Sequence, residues 1–248
     1  MSRMKAIACA TDYFDKGTFK SELARRVAIP TESQNPERAA ELVRYVDTEM
    51  KPALEALGFS CRVLNHAKAR GPFLYAERIE GSGLPTALSY GHGDVIRGLE
   101  SGWKTGVEPW RLIETEGRYY GRGVADNKGQ HTINLAALGA VLAERDRLGF
   151  NAKWLIEMGE ETGSSGLREL VAENRDLFAA DVLIASDGPR LSVDRPTILL
   201  GGRGAYPIDL WIDAREGAHH SGNWAGFCRA LRSSLCTRSR PSPGRPAR

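Results

Sequence analysis

The 248-residue chain is 42% hydrophobic and 26% charged, an ordinary globular balance with ample material for a buried core. No apolar run approaches the roughly 20 residues of a membrane span and no signal-peptide core opens the chain, so a membrane protein is excluded and a cytoplasmic location expected. The net charge of +3 belongs to the tail: six arginines and no acid follow Phe227, and taking six from +3 leaves −3 for the rest. That tail has no interleaved aromatics, so nucleic acid is not an expected partner.

Cys9, Cys61, Cys228 and Cys236 are scattered without C-x-x-C spacing and read as isolated thiols. In chain order, Phe14 to Val27 predicts a first helix, ended by Ile29-Pro30. Pro36 opens a second, where its missing N–H costs nothing, and Ala40, Leu42, Val43, Val46, Met50, Leu54 and Leu57 give it an apolar side before Gly58. Cys61–Leu64 and Phe73–Arg78 predict strands, and Pro85–Tyr90 a buried strand running into Gly91-His-Gly-Asp94. A glycine-bearing loop, Tyr119 to Asp126, precedes a helix carrying Ile133, Ala137, Ala140, Val141 and Leu142 on its apolar side.

Lys153–Met158 is a further strand, followed by Gly-Glu160-Glu161 and a helix through Leu167–Val171. Asp181 to Asp187 predicts another buried strand ending in an acid. Strands alternating with helices imply an α/β fold, a mainly parallel sheet flanked by helices. From Ile198 the pattern changes, and Ile208–Asp213 alternates like a half-exposed antiparallel strand.

In such sheets ligands bind beyond the carboxyl ends of the strands. His92, Asp94, Glu160, Glu161 and Asp187 all fall there, so residues about a hundred positions apart are expected to converge. Each has a plain alternative. His92 alone reads as a structural histidine, Asp94 as an acceptor of loop amides, Asp126 as a cap of the helix starting near Asn127, Asp187 as a turn residue, and Glu160-Glu161 as a solvated pair. Together, one imidazole and several carboxylates form the N/O donor set of zinc, and a carboxylate left free of metal is a general base. A dinucleotide fold is disfavoured, because no G-x-G-x-x-G follows a strand and Gly121-Arg-Gly123 leads into an acid.

His92-Gly-Asp94, Gly121-Arg-Gly-Val-Ala-Asp-Asn-Lys-Gly129, Glu160-Glu161-Thr-Gly-Ser-Ser and Ser186-Asp187 resemble the motifs of the dinuclear-zinc amidohydrolases. That family includes carnosinase-type dipeptidases, glutamate carboxypeptidases, aminoacylases, acetylornithine deacetylase and succinyl-diaminopimelate desuccinylase. The resemblance implies that His92, Asp126 and Asp187 hold one zinc, with Asp126 bridging to a second held by Glu161; cobalt or manganese are feasible substitutes. Asp94 would orient His92, and Glu160 would carry a proton from water to the leaving amine. Gly217-Ala-His-His-Ser-Gly222 resembles a lid motif whose histidine, here His220 with His219 beside it, stabilises the oxyanion of the partner subunit's site in dimeric members.

The implied function is zinc-dependent hydrolysis of peptide or amide bonds by a dipeptidase or carboxypeptidase-like exopeptidase, with a lean toward the dipeptidase branch. N-acyl amino acid deacylation is the alternative chemistry, and a non-catalytic remnant the alternative class. The expected division is 1–202 as part of a catalytic domain, 203–227 as the beginning of a lid and dimerisation domain, and 228–248 as an aberrant Arg/Ser/Pro-rich tail. That tail has the composition a reading-frame shift in a GC-rich gene would give. The family's later half supplies a further His ligand, and no histidine follows His220. The expectation for the chain as written is therefore one well-held zinc and impaired hydrolysis.

Overall fold

The computed structural model describes residues 3–188, 192, 194–201 and 204. The expected strand at 208–213, His219, His220 and the tail lie outside these residues. The chain divides into two compact units, Met1–Pro189 and Arg190–Arg248. The first holds every named element below.

Two helices replace the single one expected from Phe14: α1 (Arg3–Asp15) and α2 (Thr18–Val27). Gly17, at φ 78°, breaks them apart, and its N–H closes on the Phe14 carbonyl at 2.9 Å, so Phe14 lies in the last turn of the first helix and does not open a helix. The second predicted helix begins in a 3₁₀ turn, Pro36–Arg38, where the Asn35 side chain accepts the Glu37 N–H at 3.2 Å. It continues as α3 (Ala39–Tyr45), a π turn (Val46–Met50) and α4 (Lys51–Ala56). Pro52 has no N–H for the preceding turn and its ring crowds the carbonyl there, which accounts for the widened turn just before it. Leu42, Val46, Met50 and Leu54 are buried as their spacing predicts, whereas Val43 is off that stripe and half exposed.

Five strands form the main sheet: β1 (Ser60–Leu64), β2 (Phe73–Arg78), β3 (Thr86–His92), β6 (Asn151–Glu157) and β7 (Val182–Ala185). Their spatial order is β1-β2-β6-β3-β7, and β2 alone runs opposite to the other four. β4 (Ile113–Thr115) and β5 (Arg118–Tyr120) make a separate antiparallel pair. The mainly parallel sheet expected from sequence is present.

Alternation along the central strands separates two cores, because successive side chains leave opposite faces. Leu74, Ala76, Trp154 and Ile156 pack with the α3–α4 stripe and with Leu135 of α5 (Lys128–Arg145). Phe73, Tyr75 and Leu155 pack on the other face with Leu170 of α6 (Leu167–Glu173) and Phe178 of α7 (Arg175–Phe178). Both faces of β2 and β6 are therefore covered, which is why these strands read as continuous apolar runs.

Two burial expectations are corrected. Val182, Leu183 and Ile184 of β7 are 50%, 63% and 50% exposed, and among the described residues β7 pairs with β3 alone. Ile133 is on the outer side of α5, while Leu135 and Ala140 face the core. Cys9 and Cys61 are free thiols, and burial raises that of Cys61 to about 11. Among the described residues no helix is long and apolar enough to cross a membrane.

Candidate metal centre

Three strand ends and one helix entry meet at the carboxyl edge of the sheet. β3 ends on His92, β6 leads through Glu157 to the 3₁₀ turn Glu160–Thr162, and β7 leads to Ser186-Asp187. The loop after β5 delivers Asp126 just ahead of α5. Register brings this about: His92 pairs with Glu157 across β3–β6, and Tyr90 with Ala185 across β3–β7, so these strands terminate together.

His92 Nε2 lies 3.0 Å from Asp126 Oδ1, 3.5 Å from Asp187 Oδ2 and 3.9 Å from Glu160 Oε2. His92, Asp126 and Asp187 offer three ligand atoms all within 4.8 Å of one another. Two ligand atoms bound to one tetrahedral ion at about 2.0–2.1 Å would be roughly 3.3 Å apart, so these separations suit a shared dication. The imidazole is fully buried while Asp187, Glu160 and Asp126 are 28%, 39% and 63% exposed, so the cluster opens toward solvent on its acidic side. Glu161 is outside the three-atom group.

Asp94 is fully buried and works on both sides of the pocket. Its Oδ1 accepts the Glu160 N–H at 3.1 Å and its Oδ2 the Glu161 N–H at 3.2 Å. His92 Nδ1 lies 3.3 Å from Oδ1 and 3.1 Å from the Asp94 carbonyl oxygen. With Nδ1–H directed at Asp94, Nε2 presents its lone pair to the acids. The strand end itself is fastened by Gly93 N–H to the Glu157 carbonyl, 2.9 Å, and by Thr31 Oγ1 to the Gly93 carbonyl, 2.6 Å.

The electrostatics mark a site short of positive charge. Burial alone would lower the His92 pKa, but Asp94, then Asp187 and Glu160, outweigh it and raise the imidazole to about 9. Burial raises Glu160, as do Asp187, Asp94 and Asp126; His92 opposes them. Glu161 is raised by burial and then by Asp126, and Asp187 by burial and Asp126 against the pull of His92. Carboxylates whose proton affinity is raised beside a histidine whose affinity is raised too are what a pocket built around a cation shows without its counter-charge. A divalent metal fits the donor set.

The cap alternative for Asp126 fails here: Asn127 is the N-cap of α5, no side chain caps it, and Asp126 turns to His92. Several neighbours carried no sequence signal of their own. Glu157 is buried, accepts from the Tyr90 hydroxyl and from Ser164 Oγ at 2.8 Å, and is raised by burial. Lys128 is buried beneath the loop, donates to the Arg26 and Ile29 carbonyls at 2.9 and 2.7 Å, and is lowered by burial to about 7. Asn127, His131 and Tyr45 form a buried hydrogen-bonded series behind the cluster.

A parallel sheet with a His/carboxylate cluster at its carboxyl edge defines an α/β metalloprotein, and comparison with known proteins gives its family. Residues 88–233 match the model of peptidase family M20/M25/M40. The chain belongs to that family.

A cysteinylglycine-S-conjugate dipeptidase from Corynebacterium striatum is 38% identical over 143 residues, 57% of this chain and 31% of that protein. The Beta-Ala-His dipeptidase of Homo sapiens is 33% identical over 214 residues, 84% of this chain and 39% of that protein. The crystal structure of human carnosine dipeptidase 1 superposes with a TM-score of 0.68 at 30% identity, covering 75% of this chain and 42% of that one. The chain thus spans less than half the length of each of these relatives.

Proposed function

We propose that this chain carries a zinc-dependent site that hydrolyses the peptide bond of small peptides, as a dipeptidase or carboxypeptidase-like exopeptidase. The observation that carries the reading is the convergence of His92, Asp126 and Asp187 ligand atoms within 4.8 Å at the sheet's carboxyl edge. Relatives named as dipeptidases support the substrate class. In this reading His92, Asp126 and Asp187 hold one zinc, and Asp126 with Glu161 contributes to a second. Residues 203–227 begin a lid, from which His220 would reach a partner subunit's oxyanion.

Held by these residues, zinc would supply Lewis acidity toward the scissile carbonyl and toward water. The protein's own groups do the rest. Asp94 keeps His92 oriented and holds the Glu160 and Glu161 amides, so the turn bearing both glutamates is fixed beside His92. Glu160 is a partly exposed carboxylate whose proton affinity is raised by burial and by Asp187, which suits it to take a proton from water and deliver it to the leaving amine.

Metal analysis and turnover on a dipeptide panel test this. We expect one tightly held zinc per chain, lost on replacing His92 or Asp187 by Ala. Glu160→Gln should keep that zinc and lower turnover about 10²–10⁴-fold. Zinc-free purified protein would overturn the metal reading, and undiminished turnover in Glu160→Gln would remove Glu160 as the proton carrier.

A further inference from the structure

We infer that Asn127 is a positioning residue that sets the distance between the two strand ends bearing His92 and Asp187. The inference rests on the metal reading above and adds the part that keeps the ligands in register. Asn127 is fully buried one residue after Asp126, and its amide is bonded on both sides. Oδ1 accepts the His92 main-chain N–H at 3.3 Å and faces His131 Nδ1 at 3.3 Å. Nδ2 donates to the Ser186 carbonyl at 2.7 Å and to Gln130 Oε1 at 2.5 Å. One side chain therefore joins the end of β3, the loop after β7 and the first turn of α5, and each junction adjoins or contains one of the three ligands.

The amide's orientation follows from its neighbours. Flipped, it would set Nδ2 against the His92 N–H and Oδ1 against the Ser186 carbonyl, two repulsive pairs. Tyr45 reinforces the choice: its hydroxyl lies 2.5 Å from His131 Nε2. If that hydroxyl donates to Nε2, the His131 proton is on Nδ1, directed at Asn127 Oδ1. The series Tyr45–His131–Asn127 then has a single direction of donation, ending at the backbone of the metal cluster. Gly91 supplies an independent observation. A Cβ there would stand 2.9 Å from Asn127 Oδ1, so the strand before His92 leaves room for this amide.

The test measures zinc(II) affinity by competition with a chromophoric chelator, and the visible spectrum of the cobalt(II) form, in the 248-residue chain and two variants. Asn127→Ala should raise the zinc Kd about 10–100-fold and shift the cobalt bands, since loss of an outer partner misplaces ligands. Gly91→Ala keeps every hydrogen-bonding group but displaces Oδ1, and should weaken zinc in the same direction. It decides the matter should Asn127→Ala not fold. Unchanged zinc affinity and cobalt spectrum in a folded variant would overturn the inference alone. Failure of the unsubstituted chain to bind zinc would overturn the metal reading and this inference with it.

Discussion

Asp94→Asn removes one negative charge while preserving size and one acceptor oxygen, so its effect can be worked from the hydrogen bonds. The carboxylate meets two amide donors, at 3.1 and 3.2 Å, and the His92 ring at 3.3 Å. An asparagine whose Oδ1 keeps Glu160 N–H and the ring must turn its own NH₂ toward Glu161 N–H, leaving two donors face to face. One orphaned buried N–H costs about 1–3 kcal/mol. In a chain of this size that lowers Tm by roughly 2–12 °C. The Asp94 side of these bonds is fully buried and the Glu161 side part-buried, so water offsets the loss only in part. Asp94 is also the strongest influence raising His92, so the imidazole pKa should fall below about 9. Tautomer control should survive in part, because the Asp94 carbonyl still lies 3.1 Å from Nδ1. Thermal melts in chelator and NMR titration of the His92 ring read both effects. An unchanged Tm together with a His92 pKa still near 9 would refute this account of Asp94.

In metal-free protein, His92 at about 9 against an ordinary 6.5 means the folded chain holds the extra proton across that window. Its contribution, at most about 3 kcal/mol, is complete below pH 6.5 and lost as pH rises through 9. The raised Glu160, Glu161 and Asp187 act in the same sense, so chelated protein should weaken with alkalinity in pH-dependent urea melts; rising stability would contradict this. Trp154→Ala empties a site 1% exposed between β6 and the helices and should cost about 3–5 kcal/mol in urea unfolding; a change below about 1 kcal/mol would contradict the packing described. Gly129→Ala would place a Cβ 1.9 Å from the Val124 carbonyl oxygen, so the loop bearing Asp126 must move; zinc affinity equal to that of the unsubstituted chain would show that it does not.

The strands were legible because β2 and β6 are covered on both faces, which demands the apolar runs that sequence displays. The polar residues of the site were legible for a related reason, since an acid or histidine directly after such a run is unusual unless the strand end meets a ligand. What stayed hidden depends on partners far apart in the chain. Tyr45 and His131 touch across 86 positions, and neither carries a pattern that announces the other. The break at Gly17 and the π turn before Pro52 were missed because helical periodicity tolerates a short interruption without losing its apolar stripe. β7 looked buried because its residues are apolar, but burial is set by position in the sheet, and among the described residues β7 has a neighbouring strand on one side only.

Asp94 also makes the centre observable without turnover. The two amides it holds, of Glu160 and Glu161, exchange with solvent only when the turn detaches from the carboxylate. An ion that draws His92 into place tightens the same carboxylate, so the deuterium uptake of these two amides becomes a local gauge of occupancy. A spectroscopically silent ion would then be counted by the slowing of two backbone protons that never touch it.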